Sequence, residues 1–309
     1  MKILITGIHG FVGGNLVAYM AGKHTIYGLD IIAPEKTGVE KTFSWDDLVE
    51  GQIPAVDAIV HLAGKAHDTK NQSDAESYFK INTGLTQTIF DYFLKSSARK
   101  FVFFSTAKAA ADRVDEILTE DVTPSPVGPY GESKIKAEEY ILDHMPEGKY
   151  VYILRPCMIH GPGNKGNLNL LYNVVSKGIP WPLGAFENLR TMTSVENVCF
   201  VVEELLMRDV ASGIYNLGDD EPLSTNEIIE AICTALGRRS HIWALPKGTM
   251  TGLAKVGGWL RLPLNPERLR KLTENYISSN AKIKAALGVE RMPVRAKDGL
   301  KRTIESFEN

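Results

Sequence analysis

Tyr130 and Lys134, in the run Tyr130-Gly131-Glu132-Ser133-Lys134, have the types and the spacing that proton transfer requires. Four residues apart on a helix, they share one face about one turn from each other. A free tyrosine titrates near pH 10, so work as a base near neutrality asks for a shift of roughly three units, about 4 kcal/mol. One cation at about 4 Å supplies roughly that much at an effective dielectric near 20. Lys134, joined by a second positive group, can therefore make Tyr130 a proton carrier; the plain alternative is a solvated helix on which the two residues meet by chance. Thr106, after Ser105 at the end of an apolar run, places a hydroxyl that can bond the oxygen Tyr130 serves. Equally, it can cap the turn that follows. At the start of the chain stands Thr6-Gly7-Ile8-His9-Gly10-Phe11-Val12-Gly13. Its glycines allow a tight turn, leave room for a pyrophosphate and let a helix pack on the preceding strand, while the helix N-terminus offers N–H groups to the phosphates. Asp30 closes the next apolar run, at the distance expected for a carboxylate that grips a ribose 2′-OH. A bound dinucleotide with a positive nicotinamide ring would be the second cation beside Tyr130.

These residues need a scaffold that brings distant stretches of chain together. Apolar, β-rich runs occur at 2–6, 25–30, 58–61, 100–105 and 150–154. Helical stretches lie between the later ones, at 131–144 and at 74–96, where Tyr78, Ile81, Leu85, Ile89 and Phe93 share a face. The alternation predicts an α/β fold: a doubly wound parallel sheet of the Rossmann type, covered by helices on both faces. Ligands then bind outside the C-terminal ends of the strands. After Pro156 the character changes, with loop chemistry at Gly161-Pro162-Gly163-Asn164-Lys165-Gly166 and helix-like segments at 225–236 and 266–273. A nucleotide-binding domain over 1–165 and a smaller C-terminal substrate-binding lobe over 166–309 are expected. A return toward the sheet is expected near 190–218, where Ile214-Tyr215-Asn216-Leu217 reads as a strand.

Length, charge and cysteines bound the function. At 309 residues the chain can hold one large domain and a lobe, and 44% hydrophobic with 23% charged residues suit a globular enzyme. The net charge of −2 gives no reason to expect nucleic acid or an anionic membrane. Cys157, Cys199 and Cys233 lie far apart in apolar surroundings, so free buried thiols and no metal are expected. Met1 leads straight into a strand, leaving no signal peptide, and no apolar stretch reaches the length of a bilayer span. The segment 249–262 is interrupted by Lys255 and Arg261 and reads as a lobe helix rather than an anchor. The expected location is cytoplasmic. His9 and His67 read as solvated loop residues, and Arg268, Arg270 and Lys271 as a solvated helix face.

With these residues in place, the chain resembles the extended short-chain dehydrogenase/reductases, in particular nucleotide-sugar epimerases, dehydratases and 4-reductases, nearly from end to end. Further matches are His61-Leu62-Ala63-Gly64, Ile81-Asn82-Thr83-Gly84, Arg155-Pro156, Gly161-Pro162-Gly163 and Leu217-Gly218-x-x-x-Pro222-Leu223-Ser224. The resemblance implies NAD as cofactor, with NADP as the alternative, held by Gly7, Gly10, Phe11, Val12, Gly13, Asp30, Leu62, Ala63, Gly64, Asn82, Tyr130, Lys134 and Pro156. It places Thr106, Tyr130 and Lys134 on the catalytic triad, and Thr106, Lys108, Asn167 and Arg190 on the substrate, with Arg190 on its phosphate. A homodimer is implied as well, paired through the helix at 74–96 and the one after Pro129, burying apolar residues such as Tyr92.

Departures from the family pattern narrow the reaction. Dehydratases of this type carry Asp-Glu directly after the threonine; here Ala107 and Lys108 stand there, so 4,6-dehydration is not expected. His160 replaces a frequent tyrosine and reads as a packing substitution, with substrate contact as the alternative. Lys108, Gly178-x-Pro180-x-Pro182-Leu183-Gly184 and Arg190 resemble most a bacterial subgroup acting on UDP-N-acetyl-hexosamines and their 4-keto-6-deoxy derivatives. The implied activity is an NAD(P)-dependent oxidoreductase or isomerase at C4 of a nucleotide-activated hexose. A 4-reductase and a UDP-hexose 4-epimerase would use the same groups. From another class, a dinucleotide-sensing regulator without chemistry would dispense with Tyr130 or Lys134, yet both are present with Thr106.

Overall fold

The first strand, β1 (Lys2–Thr6), is buried from Ile3 onward, and its side chains alternate across the sheet: Ile3 and Ile5 enter one core, Leu4 the other. The computed structural model describes residues 1–309 except Ala33, 66–73, Lys165, 261–263 and 308–309, and describes the backbone but not the side chain of Asn167. The other strands of the main sheet are β2 (Thr25–Leu29), β3 (Lys41–Phe43), β4 (Ala58–His61), β5 (Lys100–Phe104), β6 (Tyr150–Pro156) and β7 (Gly213–Leu217). All seven run parallel in the order β7-β6-β5-β4-β1-β2-β3. The short edge strand β3, of mixed composition, is one that the apolar runs did not reveal.

Alternation puts Val60, Val102, Phe104, Tyr152 and Leu154 on one face of the sheet. Helices α1 (Phe11–Met20) and α4 (Val195–Met207) cover that face with Leu16, Val17, Val198 and Leu205. Ile59, Phe101, Phe103, Val151 and Ile153 lie on the other face, under α2 (Leu85–Lys95) and α3 (Pro129–Asp143). This is the Rossmann-type doubly wound sheet. From β1 the chain winds outward through β2 and β3, then returns on the other side with β4, so the crevice between β1 and β4 is the point of reversal where ligands bind.

The lobe has its own core, containing Leu168, Trp181, Leu183, Leu223, Ile228 and Ile304. Its helix Thr225–Ala235 starts at a capping box, with Ser224 and Glu227 bonding each other's backbone N–H groups. The chain also leaves the lobe twice: α4 and β7 return to the sheet, and so do Ile283, Leu287 and Met292 of a later segment. Tyr92, expected as an apolar residue left over for a partner, is half-buried, packing in part on the core under α2. All three cysteines are free and buried. Among the described residues no helix is long and apolar enough to cross a membrane, and no His/Cys/Asp/Glu group could hold a metal.

Candidate active site

The turn after β1 is built for close approach. Gly7 has φ +69°, and a Cβ there would stand 2.8 Å from the Ala63 backbone nitrogen. A Cβ on Gly13 would stand 2.5 Å from the Gly7 carbonyl oxygen, so only glycine lets α1 begin this close to the strand. Gly10 caps α1 with no side-chain hydrogen bond, which leaves the helix's first N–H groups for an anion. Asp30 follows β2 directly, and its carboxylate accepts from the backbone N–H groups of His9 at 3.0 Å and Ile31 at 2.8 Å. The carboxylate is thereby fixed beside the turn. This donor set fits a dinucleotide: free N–H groups for phosphate and an oriented carboxylate for a ribose.

Behind the crevice runs a buried polar relay that the motifs did not reveal. The Ala63 N–H donates to Thr6 Oγ1 at 3.0 Å, and the Thr6 hydroxyl donates to His61 Nδ1 at 2.7 Å. Thr86 donates to the Asn82 carbonyl at 2.6 Å, so His61 Nε2–H donates to Thr86 Oγ1 at 3.0 Å. These partners assign the proton of His61 to Nε2. Burial, assisted by the charge of Lys134, holds the imidazole well below its ordinary pKa, hence neutral. Asn82 lies in a widened π turn, Phe79–Gly84, inserted ahead of α2. Its side chain accepts from Lys65 N–H at 2.7 Å and donates to Ser133 Oγ at 3.0 Å, joining the loop after β4 to α3. Gly64 in that loop lies against both: a Cβ there would be 3.0 Å from Asn82 Oδ1 and 3.1 Å from Lys134 Nζ.

Pro129 starts α3 and brings Tyr130 and Lys134 into this crevice. The Tyr130 hydroxyl is hydrogen-bonded to Thr106, and its ring meets that of Tyr78 edge-on at 6.2 Å. Thr106 also accepts from the Lys108 N–H at 3.3 Å as the cap of the short helix Ala107–Ala110, so one hydroxyl serves in both ways open to it. Burial pushes the Tyr130 hydroxyl above its ordinary pKa; the Thr106 bond opposes this and Tyr78 adds to it. Lys134 alone does not lower it. Lys134 Nζ donates to the Phe104 carbonyl at 2.8 Å and lies 4.9 Å over the Phe103 ring. Its own pKa is lowered by burial to about 8, with Glu138 opposing. Glu138, one turn further along α3, is buried against Arg155 of β6 with Nη2 to Oε2 at 2.5 Å, and also accepts from Ser105. Its position four residues after Lys134 is the signal that could have found it.

The expected substrate residues are less uniformly placed. Lys108 is engaged by Asp112, to whose carbonyl Nζ donates at 2.7 Å, and lies 4.5 Å from the Tyr276 ring. Arg190, on the short strand Leu189–Arg190, donates through Nη2 to the Lys271 carbonyl, while its Nε is buried without a partner. Burial lowers its pKa and Glu274 opposes this. Asn167 begins the helix Asn167–Ser176. Pro156 ends β6 in register with Leu217 of β7, and Leu62, Phe11 and Val12 are half-buried against the sheet core. His160 is fully buried, bonded to Thr303 at 2.9 Å and 3.5 Å from Asp219, which is packing inside the molecule. His67 lies outside the described residues.

Residues 3–218 match the family model described as the NAD dependent epimerase/dehydratase family. The chain is 30% identical over 266 residues to a UDP-glucose 4-epimerase of Vibrio cholerae, covering 79% of this chain and 78% of that one. It is 25% identical over 294 residues to an N-acetyl-alpha-D-glucosaminyl-diphospho-ditrans,octacis-undecaprenol 4-epimerase of Escherichia coli O157:H7, covering 92% and 84%. The solved structure of UDP-N-acetylglucosamine 4-epimerase from Bacillus cereus superposes with a TM-score of 0.79 at 20% identity, over 100% of both chains, a likeness of fold.

Proposed function

The chain belongs to the NAD dependent epimerase/dehydratase family, and from that premise we propose that it acts at C4 of a UDP-N-acetyl-hexosamine or its 4-keto-6-deoxy derivative, as a 4-reductase. The coarser statement is firm: this is an NAD-dependent enzyme of the nucleotide-sugar 4-epimerase and 4-reductase type. NAD, when bound, supplies the hydride carrier. Gly7, Gly10 and Gly13 would admit its pyrophosphate, Asp30 would accept from the ribose, and Asn82, Gly64 and Lys134 would line its path toward Tyr130. We place the reaction in the cytoplasm, in keeping with three buried free thiols.

The observation that carries the reading is the Tyr130 hydroxyl bonded to Thr106, which pairs two hydroxyls for one substrate oxygen. A protonated phenol beside a ketone is a general acid: Tyr130 gives its proton to the C4 oxygen while Thr106 orients that oxygen. Ala107 and Lys108 provide no acid–base pair to remove a neighbouring hydroxyl, which argues against dehydration. The buried, unpartnered Nε of Arg190 supports a phosphate acceptor at that residue. A second reading, UDP-hexose 4-epimerase, is favoured by the 30% identical relative from Vibrio cholerae. It requires Tyr130 to act first as base, with a pKa lowered on cofactor binding.

One experiment separates them. Purified protein is given a UDP-4-keto-6-deoxy-N-acetyl-hexosamine with NADH, and separately UDP-N-acetyl-hexosamine or UDP-hexose without added cofactor. The reductase oxidises NADH mole for mole with the keto sugar and leaves the second substrates unchanged. Interconversion of the C4 epimers with no net cofactor turnover establishes the epimerase instead. Inertness toward all of these overturns both.

A further inference from the structure

Helix α5 (Lys247–Trp259) is held to the lobe by a narrow inner face, on which Met250, Ala254 and Gly257 are buried. Its outer face is apolar and open: Leu253 is 52% exposed, Val256 53%, Trp259 83%, and Leu260 just past the helix 52%. At about 100° per residue these four fall in an arc of about 120°. Only Thr249 and Gly252 share that arc, and Lys255 borders it. Single exposed apolar residues are ordinary, but a contiguous stripe ending in an almost bare tryptophan asks for a partner.

The charge around the stripe identifies the kind of partner. Positions 238–274 hold eight Lys or Arg and two Glu, in a chain whose net charge is −2. Both glutamates are paired inside the same segment, Glu267 with Lys271 and Glu274 with Arg270. A net charge near zero thus conceals a basic segment, of which Arg238, Arg239, Lys247, Lys255, Arg268 and Lys271 are exposed, balanced by acidic residues elsewhere. Two copies of this face would repel each other across a two-fold axis, whereas an anionic surface would attract it. Tryptophan and leucine on one side of a helix with lysine at the border is the pattern of a helix that lies in a lipid interface. We propose that α5 docks the substrate lobe onto an anionic bilayer surface. Leu253, Val256, Trp259 and Leu260 enter the headgroup boundary, and Lys255 beside them meets lipid phosphate. This is surface docking, not a span, and it stands independently of the sugar chemistry above. It departs from the expectation, drawn from overall charge, that no anionic membrane is met.

The test is co-sedimentation of the purified full chain with vesicles of phosphatidylcholine alone and of phosphatidylcholine with phosphatidylglycerol. Binding to the anionic vesicles is expected to be at least about tenfold stronger and to weaken with salt. Trp259→Ser with Leu260→Ser, and separately Lys255→Glu, should each weaken partitioning, the first by at least about tenfold. These side chains are exposed and outside the active site, so helicity and turnover of a soluble substrate should match wild type. No binding to either vesicle, equal binding to both, or undiminished binding by the variants overturns the proposal. So does a dimer in sedimentation that Trp259→Ser takes apart, since a second copy would then cover the stripe.

Discussion

Two side chains carry opposite electrostatic demands within one turn of α3. Tyr130 is held protonated and Lys134 is buried as an ammonium whose pKa is about 8. Tyr130→Phe removes one hydroxyl and little volume. It should lower kcat by well over tenfold, more than about 1.4 kcal/mol, while titration shows NAD affinity nearly unchanged. For Lys134 the prediction concerns stability. Its folded pKa lies below the unfolded value near 10.4, so between those values the unfolded chain binds more protons and stability rises with pH. Below pH 8 both states are charged and the full burial penalty applies. Lys134→Met should therefore stabilise the fold at pH 7 by up to about 3 kcal/mol, less about 1 for the lost bond to Phe104. That gain should vanish above about pH 10. Urea unfolding at several pH values checks both magnitude and direction.

At the scale of elements, α3 is positioned by what it buries as much as by what it presents. Glu138 ties it to Arg155 of β6 and Ser105 after β5, all within the sheet interior. Glu138→Leu leaves the Arg155 guanidinium uncompensated and should cost about 3–5 kcal/mol in denaturant unfolding. The double variant with Arg155→Leu should recover most of that loss, because the pair's attraction is largely offset by its desolvation. Equal instability of single and double variants would mean the pair does more than neutralise itself. The π turn at Phe79–Gly84 is a second device of this kind. It turns Asn82 toward both Lys65 and Ser133, a reach that a regular helix at the same positions would not have.

For the whole molecule, the proposed function puts the cofactor at the sheet edge and a substrate phosphate at Arg190 of the lobe, so the substrate would bridge them. Arg190→Ala should raise KM for the nucleotide sugar far more than it lowers kcat, since a remote phosphate contact is equal in ground and transition states. UDP should raise the thermal midpoint of wild type and not of the variant; no shift in either would place the diphosphate elsewhere. Asp30, fixed by two backbone N–H groups, should accept from a ribose and repel a 2′-phosphate. Dissociation constants should therefore favour NAD(H) over NADP(H), and the reverse order would remove Asp30 from that role.

Local chemistry determined what the sequence alone could determine. Near-continuous apolar runs marked five strands to within two residues, because a sheet covered on both faces must be apolar on both. Glycine spacing marked the turn after β1, because only glycine tolerates φ +69° at Gly7 and the contact at Gly13. Tyr130 and Lys134 were legible from helical spacing, and Asp30 from its place at a strand end. Tertiary structure alone decided the rest. The relay through Thr6, His61 and Thr86 joins β1, β4 and α2; Thr6 and His61 stand in motifs, but their contact with each other and with Thr86 had no signal until the sheet order made them neighbours. The direction of the Tyr130 shift depended on where Lys134 points, which spacing does not fix. The basic run at 238–274 stood in the sequence, hidden only in the sum over the whole chain, whereas the exposure of the apolar stripe on α5 was decided by folding.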